Sequence, residues 1–251
     1  MLTENEPFLA AARTPETSEV QALHRRGLIE LERCRRSPLY WGERYVFTRD
    51  DRDLERPKKP LIGGPLAVDP VTLKCRRLGD YKDDYLRWWF LIFAQEPLIL
   101  GPKSRQVRMS WLAIALCTWL AQFHPAQRIG VQSKKAQDSD KLLDRAVVML
   151  EQQPKVASYV PWPKWHKKIG LLRFFHGGLT GVSRMEGLAE GADKIRGETY
   201  SMVFQDEGAF QAEAEAAFTA VMPLIEHGAR YMAISSAKGG TFFEALVNDH
   251  I

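Results

Sequence analysis

Two stretches of this chain carry residues able to handle phosphate. In the first, the apolar run Leu98-Ile99-Leu100 leads into a polar, cationic loop, Gly101-Pro102-Lys103-Ser104-Arg105-Gln106-Val107-Arg108-Met109-Ser110. Trp111 to Phe123 follows and is apolar almost all round. Strand, cationic turn and buried helix is the layout of a phosphate-binding loop, in which backbone N–H groups and a helix N-terminus face an anion. The usual spacing, G-x-x-x-x-G-K-[ST], puts glycine and lysine where this chain has Arg108 and Met109. The loop's only lysine is Lys103, at its start. Its flexible ammonium can reach β- and γ-phosphates from either side. An ordinary basic turn has the same composition, so the loop by itself decides nothing.

The second stretch is Ser201-Met202-Val203-Phe204-Gln205-Asp206-Glu207, a strand-like run ending in two adjacent carboxylates. At the end of a buried strand such a pair divides the labour of nucleoside-triphosphate hydrolysis. Asp206 would hold Mg²⁺ through water, and Glu207 would orient or deprotonate the attacking water. The plain alternative is a strand running into a helix whose positive end welcomes acids. A basic turn and an acidic strand end, in this order and about a hundred residues apart, make that alternative the poorer one.

Composition sets the limits. The chain has 251 residues, of which 45% are hydrophobic and 26% charged, which fits one sizeable core or a core plus a small subdomain. No apolar run approaches the roughly 20 residues that span a bilayer, so no membrane role is expected. Met1 to Thr17 lacks the cationic-then-apolar order of a secretory signal. Cys34, Cys75 and Cys117 are widely spaced and read as reduced thiols rather than disulfides or a zinc site. A net charge of +4 permits a polyanion partner without requiring one. The clusters Arg25-Arg26, Arg33 to Arg36, Lys58-Lys59, Arg76-Arg77, Lys134-Lys135 and Lys164 to Lys168 are where one would be met.

The elements that must position the two stretches follow from periodicity. Ser18 to Arg36 reads as an amphipathic helix with Val20, Leu23, Leu28 and Leu31 inward. A short aromatic segment, Leu39 to Phe47, comes next. Pro57, Pro60, Gly63-Gly64, Pro65 and Pro70 break any period between Arg49 and Asp80. Tyr81 to Ala94 is an aromatic-rich helix, from which Tyr81 and Tyr85 are candidate base contacts. Strands are predicted at Arg128 to Ser133 and Arg230 to Ser235, with a hairpin at Leu171 to Ser183. Helices are predicted from an Asp138 cap to Pro154, over Gln211 to Glu226, and from Thr241. Alternating strands and helices make an α/β fold with a mostly parallel central sheet flanked by helices. The polar turns after Leu100, Gln205 and Ser235 would then open on one edge of that sheet. Residues 1–80 form an N-terminal helical or irregular extension, or lid, and 81–251 the core.

With those residues laid out, the sequence resembles the ATPase domain of the large terminase subunit, the DNA-packaging motor of tailed bacteriophages. Ser104 to Ser110 lines up with that family's S-R-Q-x-G-K-[ST] loop, and Val203-Phe204-Gln205-Asp206-Glu207 with its metal-binding, water-activating strand end. Ser235-Ser236-Ala237 stands where the family has a Ser/Thr-rich coupling motif, and Arg196-Gly197 matches a recurrent R-G. The chain departs from the pattern at Arg108 and Met109; some terminases move the loop lysine to its start, where this chain has Lys103.

The resemblance implies a P-loop NTPase of the ASCE/RecA-like kind, with a small N-terminal helical subdomain or lid, using ATP and Mg²⁺. Gly101 to Trp111 would cradle the nucleotide, and Ser110 and Asp206 would serve the metal. Glu207 is the implied catalytic base. Arg105 would touch the γ-phosphate in cis, and Arg196 would reach a neighbour's ATP as an arginine finger; its plain alternative is a salt bridge to Asp193 or Glu198. Ser235, Ser236 and Ala237 would pass the loss of γ-phosphate onward. Implied partners are double-stranded DNA, a portal or procapsid, the small terminase subunit, and copies of the chain in a ring, with the isolated domain a monomer. The implied setting is the cytoplasm of an infected bacterium, and a nuclease domain would lie beyond Ile251. Other readings of the same residues are a helicase-like nucleic-acid-stimulated ATPase and a catalytically weak nucleotide-binding scaffold.

Overall fold

The computed structural model describes residues 15–49, 58–62, 84–104, 108–177 and 181–249. Two helices, α1 (Pro15–Arg36) and α2 (Pro38–Tyr45), come first. Ser37 separates them; its hydroxyl accepts the Tyr40 N–H at 3.1 Å, and Pro38 starts α2 where no N–H is needed. Strands β1 (Phe47–Arg49) and β2 (Lys58–Pro60) pair antiparallel. Next come α3 (Asp84–Gln95), β3 (Leu98–Lys103), α4 (Met109–Phe123), β4 (Arg128–Gln132) and α5 (Ala136–Val156). Three strands follow, β5 (Lys164–Lys168), β6 (Leu171–Phe175) and β7 (Val182–Leu188), and then the short α6 (Asp193–Arg196). The chain ends with β8 (Met202–Asp206), a 3-10 turn (Gly208–Phe210), α7 (Ala214–Glu226), β9 (Arg230–Ser236) and α8 (Phe242–Asp249).

Seven strands form one sheet in the order β3-β9-β8-β4-β7-β6-β5. The pairs from β3 to β7 are parallel, and β6 and β5 add antiparallel at one edge. Lys164 to Lys168 is therefore the edge strand itself. Alternation along the strands builds a core on each face. Met202, Phe204, Met232 and Ile234 join α4, α5, Trp41 and Phe90 on one side. Val203, Tyr231 and Ala233 join Ile195, Val221 and Phe243 on the other. Cys34, Trp41 and Tyr45 share the larger core, so α1 and α2 are packed into it.

Three expectations change. Helix α1 turns Gly27, Glu30 and Cys34 inward, while Val20, Leu23 and Leu28 are 67%, 51% and 47% exposed. The reason is steric: a Cβ at Gly27 would lie 2.2 Å from the Tyr159 carbonyl oxygen, so the helix makes its closest approach through its smallest residue. Helix α5 begins after Lys135, not at an Asp138 cap, and runs through Pro154 to Val156. Strand β3 continues through Gly101, Pro102 and Lys103, residues expected in the loop. A proline is tolerated there because β3 is an edge strand.

Candidate functional site

Parallel register puts the C-terminal ends of β3, β9 and β8 side by side, with Lys103 opposite Ser236, Pro102 opposite Ser235 and Asp206 opposite Ile234. The Lys103 ammonium donates to Glu207 Oε1 at 2.5 Å. The Ser110 hydroxyl, in the first turn of α4, donates to Asp206 Oδ1 at 3.0 Å. Glu207 Oε2 accepts the Ser236 backbone N–H at 2.9 Å, and the Ser236 hydroxyl lies 3.3 Å from Oε1. Ser235 Oγ accepts the Ala209 N–H at 3.0 Å and lies 3.4 Å from Glu207. The basic turn and the acidic strand end thus meet directly. Ala237 is exposed just past β9.

The loop's other described cation, Arg108, is engaged elsewhere. Arg108 stands where the consensus has glycine, and its φ of 56° and ψ of 13° are left-handed backbone angles that glycine adopts without cost. For another residue they cost about 1–2 kcal/mol. The Arg108 guanidinium donates to the Leu61 carbonyl at 3.0 Å, tying the loop to the residues after β2. Glu207 is likewise left-handed, with φ 52° and ψ 47°, which turns its carboxylate back toward β3 and β9. Met109, in the consensus lysine position, is buried in the core. Gly101 is buried as well, and a Cβ there would meet Trp89 and Ile234. Trp111 packs against the main core. Tyr85 is half-buried on α3 against the same core. Ser110 lies in the first turn of α4, whose N-cap is Arg108. Arg105, Gln106, Val107 and Tyr81 lie outside the described residues, while Ser104 and Pro102 are exposed at the strand end.

The two acids are adjacent yet electrostatically opposite. Burial raises the Asp206 carboxyl above the usual aspartate value, against the pull of its Ser110 hydrogen bond, with Glu207 beside it adding to the rise. Burial also pushes on Glu207, but Lys103 and the Ser236 N–H outweigh it and hold the carboxylate below its ordinary value. Environments that separate two neighbouring carboxyls in this way mark acid–base sites.

A further cation escaped the sequence reading. Arg145, on α5, lies with its guanidinium 5.5 Å over the Trp111 ring, and its Nη1 is buried without a hydrogen-bond partner. Burial lowers its pKa, while the Asp206 charge works against that shift. No residue pattern marks one arginine on a long amphipathic helix, so only the tertiary placement exposes it. A buried amide network was missed too. Gln205 Nε2 donates to Gln132 and Gln211, Gln211 donates to the Asp206 carbonyl at 2.8 Å, and Gln132 donates to the carbonyls of Ala189 and Gly191. That network ties the acidic turn to the segment leading into α6. Arg196, at the end of α6, is exposed. Its suggested partner Glu198 pairs with Arg128 instead, and Arg196 makes no ion pair among the described residues.

The hard oxygen donors Ser110 Oγ and Asp206 Oδ1, 3.0 Å apart, suit a magnesium ion that takes its remaining ligands from water and phosphate. No cluster of three or more His, Cys, Asp or Glu side chains able to hold a metal occurs among the described residues.

A mostly parallel sheet between helices, with a loop-to-helix turn at one strand end and an acidic pair at another, defines a P-loop, RecA-like fold. No protein-family model matches the sequence. Among solved structures, the HK97 bacteriophage large terminase superposes with a TM-score of 0.56 at 13% identity, over 86% of this chain and 40% of that one. The large terminase ATPase domain of Thermus phage P74-26, in a point-mutant form, gives 0.50 at 16% identity, over 68% of this chain and 74% of that one. The chain has the fold of a phage large-terminase ATPase domain, and the matched region spans less than half of the HK97 protein.

Proposed function

We propose that this chain is a Mg²⁺-dependent ATPase that drives double-stranded DNA into a phage procapsid. The observation that carries the reading is the Lys103–Glu207–Ser236 contact. It places a cation, a candidate base and a hydroxyl with its backbone N–H on three neighbouring strand ends, beside the Ser110–Asp206 pair.

The chemistry follows from what each group can exchange. An ATP γ-phosphate offers Lys103 a more highly charged partner than Glu207, so binding draws the ammonium onto the β- and γ-phosphates. Glu207, still oriented by the Ser236 N–H, is then free to accept a proton from a water attacking the γ-phosphorus. The bond to the bridging oxygen breaks, and ADP takes the leaving electron pair. Magnesium, when held by Ser110 and Asp206, would neutralise charge on the phosphates. Loss of phosphate restores the Lys103–Glu207 pair. Ser235 and Ser236 touch the same carboxylate, so the end of β9 senses the exchange. In a ring of copies, exposed Arg196 would complete a neighbour's site, a device worth roughly 10³–10⁵ in rate. A portal or procapsid and a small terminase subunit are the partners this reading carries, in the cytoplasm of an infected bacterium. No helix among the described residues is long and apolar enough to cross a membrane.

A phosphate-release assay beside a nucleotide-binding titration tests the proposal. Glu207→Gln should bind ATP within about threefold of the parent while turnover falls by about 10²–10⁴, the usual worth of a positioned base. Binding without turnover in the unmodified chain would replace the motor reading with that of a nucleotide-binding scaffold.

A further inference from the structure

Helix α1 carries two sets of arginines that are treated differently. Arg35 and Arg36 both pair with Glu32, at 2.6 and 2.7 Å, and share its one negative charge. Arg25, Arg26 and Arg33 lie on the face that looks across to α2 and Tyr159. There, with Arg44 and Tyr40, they line a concavity of about 760 Å³. Arg26 lies 5.1 Å over the Tyr159 ring, and Arg44 lies 4.6 Å over the Tyr40 ring. Among the described residues no carboxylate pairs with Arg25, Arg26 or Arg44.

The groove's one acid is already occupied. Glu30 accepts the Tyr40 and Tyr45 hydroxyls at 2.8 and 2.6 Å, and its side chain is 10% exposed; Arg33 approaches it at 3.7 Å. Glu30 therefore anchors the floor, and four guanidiniums against one carboxylate leave the groove strongly positive. Stacking on tyrosine holds Arg26 and Arg44 in place while leaving guanidinium N–H edges open for bidentate bonds to an oxyanion.

We propose that the groove between α1 and α2 is a binding site for the phosphodiester backbone of nucleic acid. The cavity is larger than one phosphate needs, and its cations are spread over about two turns of α1 and across to Arg44 on α2, as a run of phosphates requires. Arginine and tyrosine also line protein interfaces, so an acidic polypeptide is the competing occupant that the test below must separate. The inference takes from the proposed function only that nucleic acid is the polymer concerned. It assigns the contact to residues remote in sequence from the ATP-binding loop.

The test is fluorescence anisotropy of a labelled duplex of about 30 base pairs, titrated with the whole chain at several salt concentrations without ATP. Each phosphate contact contributes about 0.9 to the slope of log K against log salt. Arg26→Gln and Arg44→Gln should each weaken binding several-fold and lower that slope by about one. Arg35→Gln, whose guanidinium is held by Glu32 and does not line the groove, should change neither. Equal losses in all three variants, or an unchanged slope in the groove variants, would overturn the site. Polyglutamate of matched charge is the competing probe. If it displaces the duplex at equal charge concentration, the groove prefers carboxylates and the phosphodiester assignment is wrong. Phosphate release and circular dichroism on the same variants keep the questions apart. Duplex binding that needs the groove in a chain without turnover would sink the motor reading alone; turnover with groove-independent binding would sink the groove alone.

Discussion

The two ends of the parallel sheet both carry charge, and they use it in opposite ways. Where the strands begin, Arg128 at the start of β4 is bound by Glu186 at 3.0 Å and by Glu198, with its guanidinium 5.0 Å over the Tyr200 ring. Glu186 is in turn shared with Arg184 and Tyr200. Arg230, at the start of β9, donates to the Phe93 and Glu96 carbonyls at the end of α3. Both guanidiniums there have partners fixed by the fold. Where the strands end, Lys103 and Glu207 also pair, but Glu207 is 36% exposed, and under the proposed function Lys103 exchanges it for a triphosphate. Arg145 nearby keeps a buried nitrogen with no partner. Charge is fully paired where the strands begin, whereas where they end it is partly exposed and, at Arg145, partly unpaired.

The largest effect should come from the exchangeable end. Lys103→Ala removes the only described loop lysine, and kcat/KM for ATP should fall by about 10²–10³, the cost of losing one preorganised charge-stabilising donor. Thermal unfolding of that variant should change little, because the pair it breaks is partly solvated. A variant that unfolds earlier yet turns over normally would erase the distinction between the two ends.

Arg128→Leu should do the reverse. It leaves Glu186 half-buried without its main cation, and chemical denaturation should show a loss of about 1–2 kcal/mol, between the values for exposed and buried pairs. ATP turnover at a temperature where the variant is folded should match the parent.

The smallest effect is a pH dependence at the saturated end. His124, just before β4, and His176, which contacts the Ala121 carbonyl and Ser183 Oγ, are both held below the usual value of 6.5, chiefly by burial. As pH falls through 6.5 the unfolded chain takes up protons that the folded chain refuses, so stability is complete above that value and declines below it. Melting temperature should drop between about pH 7.5 and 5.5, and His124→Gln with His176→Gln should flatten the slope. A slope unchanged in the double variant would assign the effect to other groups.

The exchangeable end was the more legible in sequence. Lys103, Ser110, Asp206, Glu207, Ser235 and Ser236 all follow apolar strand runs, and a parallel sheet brings such strand ends to one edge. That β9 would insert between β3 and β8, placing Ser236 on Glu207, was not legible, because strand order is decided by packing. The loop's start was misplaced since Pro102 reads as a strand breaker, and only the edge position of β3 makes it tolerable. On α1 Leu31 packs against the core as its spacing suggested, but Val20, Leu23 and Leu28 are exposed, because the close contact at Gly27 outweighs the apolar pattern. The arginines of the groove looked like the Glu32-paired ones beside them. Only the cross-helix placement of Tyr40 and Tyr159 separates the two sets.

A crystal structure of the chain with Mg²⁺ and a non-hydrolysable ATP analogue tests the central claim most directly. The account predicts that Lys103 Nζ leaves Glu207 and lies within hydrogen-bonding distance of the β- or γ-phosphate, with the metal beside Ser110 and Asp206. A nucleotide bound elsewhere, with the 2.5 Å Lys103–Glu207 contact intact, would contradict it.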